Sequence, residues 1–312
     1  MPLTDDPKTL DTANALVSTL RGAFGTPDAY RPAHAKGHLV RGAFTPTPEA
    51  ASLSKAPHFN NPSTPILARF SNSTGLPLIP DTSSDASPRG LAIRFLLSED
   101  EHKHTDIITH STPYFPVSSG EGFLALLQAI GNGTIGAFLQ DNPAAAAFVQ
   151  ASKPQPVSFA TERYFGVNAF KFVNANGEGK FVRYRVVPEE YNVLSKEDLD
   201  GKRDSYLFDE LEERLKSGSG SFKLAAQVAE DGDMTSDATV RWPEERELVV
   251  LGTLALDAYE QEDKSLEEQQ RIIFDPVPRI DGVEPSDDPL LDMRAAMYLI
   301  SGRIRREAKS AA

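Results

Sequence analysis

Phe170-Lys-Phe-Val173, Asn174-Ala-Asn-Gly-Glu-Gly179 and Lys180-Phe-Val-Arg-Tyr-Arg-Val-Val187 follow one another without a break. In the outer two runs, apolar and charged residues alternate with period two (Phe-Lys-Phe, then Val-Arg-Tyr-Arg-Val), as in a strand with one face on a core. The middle run is rich in Asn and Gly, which tolerate the backbone of a tight connection, so the segment reads as an antiparallel hairpin. Working outward, strand-like runs occupy residues 38–44, 66–70, 90–97, 220–229 and 248–256. Helical stretches fall at 11–20, 120–130, 143–151, 207–216 and about 289–308. Several strands joined largely by hairpins, with helices inserted and appended, predict an α+β chain built on an antiparallel β-barrel or sheet. No linker or repeat divides it. Residues 1–312 are expected to form one domain, with its core at about 30–306 and a helical lead-in at 1–29.

Composition narrows the function classes. With 312 residues, 40% of them hydrophobic, the chain can bury a sizeable core. A net charge of −13 argues against nucleic-acid or anionic-membrane surfaces. Cysteine is absent, which excludes disulfides, thiolate catalysis and any Cys-ligated metal or haem. No stretch approaches the ~20 apolar residues that span a bilayer. The N-terminus, Met-Pro-Leu-Thr-Asp-Asp, lacks the apolar segment of a secretory signal, so a cytoplasmic location is expected.

Three segments carry candidate chemistry. Arg294-Ala-Ala-Met-Tyr298 sets a guanidinium and a phenol on one helix face at i, i+4, with Arg303, Arg305 and Arg306 behind. Tyrosine ordinarily keeps its proton to about pH 10, so a phenolate at neutral pH requires a cation beside it. Arg31-Pro-Ala-His34-Ala-Lys-Gly37 offers a histidine, the side chain best suited to moving protons near neutrality. Thr64-Pro-Ile-Leu-Ala-Arg69-Phe-Ser71 ends a strand with Arg69 and Ser71 on one face. Taken singly, each also reads as an ordinary core or surface residue.

Their shared order does not. His34-Ala-Lys-Gly37, Thr64-Pro-x-x-x-Arg69-Phe-Ser71, Arg89-Gly-x-Ala-x-Arg-Phe95 and Asp106-x-x-x-x-x-Thr112-Pro come first. Arg241-Trp-Pro243, Leu251-Gly-Thr-Leu-x-Leu256 and Phe274-Asp-Pro276 follow, and Gly282-Val-Glu-Pro-Ser-Asp-Asp-Pro-Leu-Leu-Asp-Met-Arg294-x-x-x-Tyr298 closes the series. Over roughly residues 30–306 the chain resembles the haem core of the catalase family, and in particular its small, single-domain catalase-related peroxidases. The resemblance implies a catalase-like barrel with one haem b buried against it. It implies Tyr298 as the iron ligand, a phenolate supported by Arg294, and His34 as the distal acid/base held by Ser71. Arg31, Arg69 and Arg305 fall where the family binds the haem propionates, and Phe123 where it packs an aromatic ring on the haem.

The pattern also departs from the family. Larger catalases carry an asparagine where this chain has His110, in the pair His110-Ser111, so His110 is the candidate for a second hydrogen bond to peroxide. Ala33 replaces the usual valine and widens the approach. The long arm, helical domain and NADPH site of large catalases have no counterpart. The resemblance therefore implies a peroxidase acting on hydrogen peroxide or organic hydroperoxides through a ferryl intermediate, with a small organic electron donor and weak catalase activity, in an oxidative stress response. One alternative on the same scaffold is a fatty-acid hydroperoxide isomerase or dehydratase, and one of another class is a non-turnover haem carrier or sensor. A homodimer or higher homo-oligomer is the assembly expected by analogy. Other patterns are read as incidental. Gly131-Asn-Gly133-Thr-Ile-Gly136 follows a helix and not a strand, which a dinucleotide fingerprint would require. His102-Lys-His104 with Asp106 reads as a solvated turn. Asn72-Ser-Thr74 and Asn132-Gly-Thr134 are glycosylation sequons without a secretion signal, and the charge runs at 210–214 and 244–247 read as exposed faces.

Overall fold

The 170–187 segment folds as a hairpin, with Phe170 opposite Val182 and Val173 opposite Gly179. The computed structural model describes residues 3–98, 103–218 and 220–308. Its strands, all antiparallel, are β1 (Gly37–Pro46), β2 (Thr64–Ser71), β3 (Gly90–Ser98), β4 (Lys103–His110), β5 (Tyr164–Phe165), β6 (Phe170–Val173), β7 (Gly179–Pro188), β8 (Gly220–Val228), β9 (Leu248–Tyr259) and β10 (Val283–Pro285). The neighbour order β1-β2-β3-β4-β5-β7-β8-β9 returns to β1, which closes an eight-stranded barrel. β6 pairs with β7, and β10 with β6, outside that ring. Closure leaves no unpaired edge among the eight staves.

Period-two alternation sorts the side chains. Ile66, Ala68 and Phe70 of β2 and Leu91, Ile93 and Phe95 of β3 belong to the barrel's apolar interior. Aromatic rings fill that space, Phe44 edge-on to Phe95 at 5.2 Å and Phe70 against Phe159 at 5.3 Å between centroids. The intervening residues face outward, where Leu39 and Leu67 pack with Ile272 and Phe274. The strand register builds rows across this outer face. Gly37, Ser71, Gly90 and His110 are cross-strand partners in one row, and Leu39, Arg69, Ala92 and Ile108 in the next.

Helices close over that face. Pro7–Phe24 begins at an Asp6 cap, whose carboxylate accepts the Thr9 N–H at 2.8 Å, and stops at Gly25 with φ 61°. Its residues Ala13, Leu16, Val17 and Leu20 pack on Met293, Ala296 and Met297 of the C-terminal helix Pro289–Glu307. Gly120–Gly131 joins them. Among the described residues no helix is long and apolar enough to cross a membrane.

The solvated turn expected around residues 102–106 is not found. His102 lies outside the described residues, and residues 103–110 form β4. Asp106 is buried, and Arg94, its partner across the sheet, holds it with two hydrogen bonds of 2.8 and 2.7 Å. A charge neutralised in this way can lie in a packed strand. Helices at Ile135–Asp141 and Glu262–Arg271 also lay outside the sequence expectation.

One core residue is out of character. His58, 1% exposed, lies 3.9 Å from the Phe59 ring and 4.6 Å from Phe95, and neither ring nitrogen has a partner among the described residues. Burial lowers its pKa to about 3. The unfolded chain therefore takes up a proton below about pH 6.5 that the folded chain refuses until about pH 3. The resulting loss of stability begins as pH falls through 6.5 and accumulates towards 3. His58→Phe should raise stability at pH 7 by about 1–2 kcal/mol, and its advantage should grow by roughly 1.4 kcal/mol per pH unit on acidification to pH 4. Chemical denaturation at several pH values measures both effects.

Candidate active site

The site is assembled from the loop before β1 and the row Gly37-Ser71-Gly90-His110. His34 adopts φ 57°, a left-handed backbone that costs a non-glycine residue on the order of 1 kcal/mol. Its neighbours hold it there. The Ala35 N–H donates to the Thr74 carbonyl at 3.0 Å, the Asn72 N–H donates to the Lys36 carbonyl at 3.0 Å, and Arg69 Nη2 donates to the His34 carbonyl at 3.0 Å. The ring then lies with Nδ1 3.1 Å from Ser71 Oγ. Glycine at position 90 makes this contact sterically feasible. A Cβ there would stand 2.6 Å from Ser71 Oγ and 2.8 Å from His34 Nδ1. Gly37 serves Arg69 likewise, since its Cβ would meet Arg69 Cζ at 2.4 Å.

The C-terminal helix brings the other wall. Arg294 Nε and Nη2 both lie 3.3 Å from Tyr298 Oη, so the i, i+4 pair makes the contact its spacing predicts. Asp288 caps the helix, accepting the Leu290 N–H at 3.0 Å, and also accepts from Asn168 Nδ2 at 2.8 Å. Asn168 in turn receives Arg294 Nη1 on its carbonyl oxygen. The cap, Asn168, Arg294 and the phenol thus form one hydrogen-bonded chain.

His34, Ser71, His110, Arg31, Arg69, Phe123, Arg294, Tyr298 and Arg305 all line a single cavity between the barrel and these helices. Phe123 sits 5.3 Å from Phe115, and Ala33 and Met297 add apolar wall. Burial lowers the His34 pKa to about 4, helped by Arg69, Arg31 and Arg294. It lowers that of His110 to about 3, helped by Arg294 and His34. Both rings are therefore neutral at pH 7.

Three arginines share one side of the cavity. Arg69 donates to Gln269 Oε1 at 2.6 Å, Arg305 to Ser301 Oγ and the Ile272 carbonyl at 2.8 Å each, and Arg31 to the same carbonyl at 3.3 Å. None pairs with a carboxylate among the described residues. Burial and mutual repulsion lower the pKa of Arg69 to about 9 and of Arg305 to about 8, and push that of Arg31 well below its ordinary value. Cations without carboxylate partners beside an apolar, aromatic cavity fit a ligand with a flat apolar body and two carboxylates, and haem has that form.

A family model described as Catalase matches residues 29–310. The chain belongs to the catalase family. It is 35% identical over 307 residues to a catalase-related peroxidase of Mycolicibacterium paratuberculosis, covering 94% of this chain and 95% of that protein. It is 33% identical to one of Synechococcus elongatus, over 93% of this chain and 87% of the relative. Among solved structures, a bacterial catalase superposes with TM-score 0.77 at 22% identity, and a fungal catalase with TM-score 0.77 at 23%. The bacterial alignment covers 98% of this chain and 62% of the solved one, the fungal 88% and 59%, so the chain spans about three fifths of the length of those catalases.

Sequence reasoning missed Asn168, Thr112 and Gln269. Asn168 and Gln269 are distant in sequence from the arginines they hold, and nothing local distinguishes them. The His34–Ser71 contact depends on the bare backbone of Gly90, so Gly90→Ala should leave the circular dichroism spectrum unchanged while slowing peroxide consumption at least tenfold. An unchanged rate would mean that the ring tolerates displacement.

Proposed function

We propose that the chain binds haem b in this cavity and reduces hydrogen peroxide or an organic hydroperoxide, with electrons returned by a small organic donor. Family membership carries the general class, an oxidoreductase acting on peroxide. The observation that carries the finer reading is one cavity combining the Arg294–Tyr298 pair, the His34–Ser71 pair and three arginines free of carboxylates. Tyr298 would hold the iron, and the two donors from Arg294 favour the anionic oxygen that such a ligand needs. Arg31, Arg69 and Arg305 would bind the two propionates, relieving their mutual repulsion. Phe123 would pack on the macrocycle.

Haem held by these residues would supply the redox chemistry of O–O cleavage. The protein's part is proton movement. His34, neutral at pH 7, takes a proton from one peroxide oxygen and returns it to the other, so that the departing oxygen leaves as water. Ser71 keeps the ring in the orientation this requires. His110 adds a hydrogen bond to the bound peroxide. Since His34 gains its proton only as pH falls through about 4, its function as a base is retained at higher pH and lost below.

His34→Ala should keep haem and its absorbance but lose roughly 10²–10⁴-fold in peroxide reduction, the range of a lost general acid/base. Tyr298→Phe should lose haem or change its ferric spectrum. Purified protein with added haem and no Soret band would remove the cofactor from the reading. Normal turnover in His34→Ala would remove His34, and haem binding without any peroxide turnover would leave a carrier or sensor.

A further inference from the structure

The second histidine of the cavity is held in a way that fixes what it can do. His110 ends β4, and its Nδ1 faces Thr112, the residue two positions on. The Thr112 main-chain N–H points at Nδ1 from 3.3 Å, and the Thr112 hydroxyl lies 2.7 Å from the same atom. A main-chain N–H can only donate, so Nδ1 must offer its lone pair, and the hydroxyl donates to it as well. A neutral imidazole has one N–H, and this hydrogen-bond network assigns it to Nε2. That nitrogen is buried and has no partner among the described residues, and His110 is one of the residues that line the cavity. Thr112 itself is 3% exposed, so its contacts to Nδ1 are shielded from competing water.

From this geometry we infer that Thr112 is a positioning residue, which locks His110 in the Nε2–H tautomer and makes it a permanent hydrogen-bond donor to whatever occupies the cavity. Its chemical meaning rests on the peroxide reading above; the geometry does not. His110 cannot serve as the proton-accepting base, because its only lone pair is committed to Thr112. Nor does it become a cation near neutrality. Besides burial, the charged or titratable groups that oppose its protonation across the cavity are Arg294 and His34. From the neighbouring strands it meets Gly90 and Phe165, which carry no charge. His34 differs. Its Nδ1 partner is the Ser71 hydroxyl, which can donate or accept, so the ring can gain and lose a proton without breaking its support. The two histidines therefore divide the work, His34 exchanging protons and His110 fixing an acceptor atom such as a peroxide oxygen.

The full-length chain labelled with ¹⁵N-histidine, prepared without haem, tests the tautomer directly. His110, identified by the signal lost in His110→Asn, should show a protonated Nε2 and an unprotonated Nδ1 unchanged between about pH 5 and 8, the range in which ordinary histidines titrate. Thr112→Ser should keep that signature, and Thr112→Val should show a mixture of tautomers. In the haem-loaded enzyme, Thr112→Val should lower kcat/KM for hydrogen peroxide about tenfold, the worth of one well-placed hydrogen bond, while Thr112→Ser stays within about twofold of wild type. A protonated Nδ1 in the wild type, or titration of His110 above pH 5, would overturn the inference whatever the variants do. So would a Thr112→Val protein with wild-type tautomer and wild-type rate. The expected tautomers in a protein that neither binds haem nor consumes peroxide would uphold the role of Thr112 and defeat the peroxidase reading.

Discussion

Ser71 stands between two glycines in a row that runs across four strands, Gly37, Ser71, Gly90, His110. The register that makes this row also decides which face of each strand meets the barrel interior. A slip of one residue would carry Arg69, Ser71 and His110 in among Phe44, Phe70 and Phe95, where a guanidinium would find no partner. The aromatic interior and the cavity outside it are therefore one constraint seen from two sides. Packing the inner face fixes the chemistry of the outer one, and the glycines leave room for a ring that arrives from the loop before β1.

What fills that outer face is charged against the chain's overall balance. A protein with net charge −13 buries Arg69 and Arg305 and half-buries Arg31 around one cavity, and none of them meets a carboxylate among the described residues. Each is tied instead to uncharged oxygens, the carbonyls of His34, Ala35 and Ile272, the Ser301 hydroxyl and the Gln269 amide. These contacts aim the guanidiniums without neutralising them. Such an arrangement is costly alone and would become favourable with an anionic ligand of the kind proposed above. The left-handed backbone at His34 is maintained by the same contacts, since Arg69 holds its carbonyl.

Much of this was legible in the sequence because the relevant interactions are local. The 170–187 hairpin, the shared face of Arg69 and Ser71 and the Arg294–Tyr298 pair all follow from spacing. β4 was not legible, because Lys103 to Asp106 look solvated until Arg94 is placed opposite Asp106 by the sheet register. The Glu262–Arg271 helix was missed for a related reason. The residues it buries, Ser265 and Gln269, are polar, so its inward face does not read as a core face in sequence. Asn168 joins the Asp288 cap to Arg294 across more than a hundred residues, a relation that no window of sequence contains.

The pair His110-Ser111 stands where larger catalases are expected to carry an asparagine, and the two side chains differ in what they can offer. A carboxamide in a pocket presents either a donor or an acceptor, depending on how it is turned. The imidazole held by Thr112 presents only a donor, and it cannot turn without giving up both contacts at Nδ1. With Arg294 committed to Tyr298 and Asn168, the histidine lone pairs are the neutral bases in question on the distal side, and that of His110 is taken. Under the proposed function, proton transfer in the cavity would then converge on His34. Burial and the neighbouring Arg69, Arg31 and Arg294 keep that ring a weak base, neutral at pH 7, and the Ser71 hydroxyl beside it adds no negative charge that would draw it towards the cation.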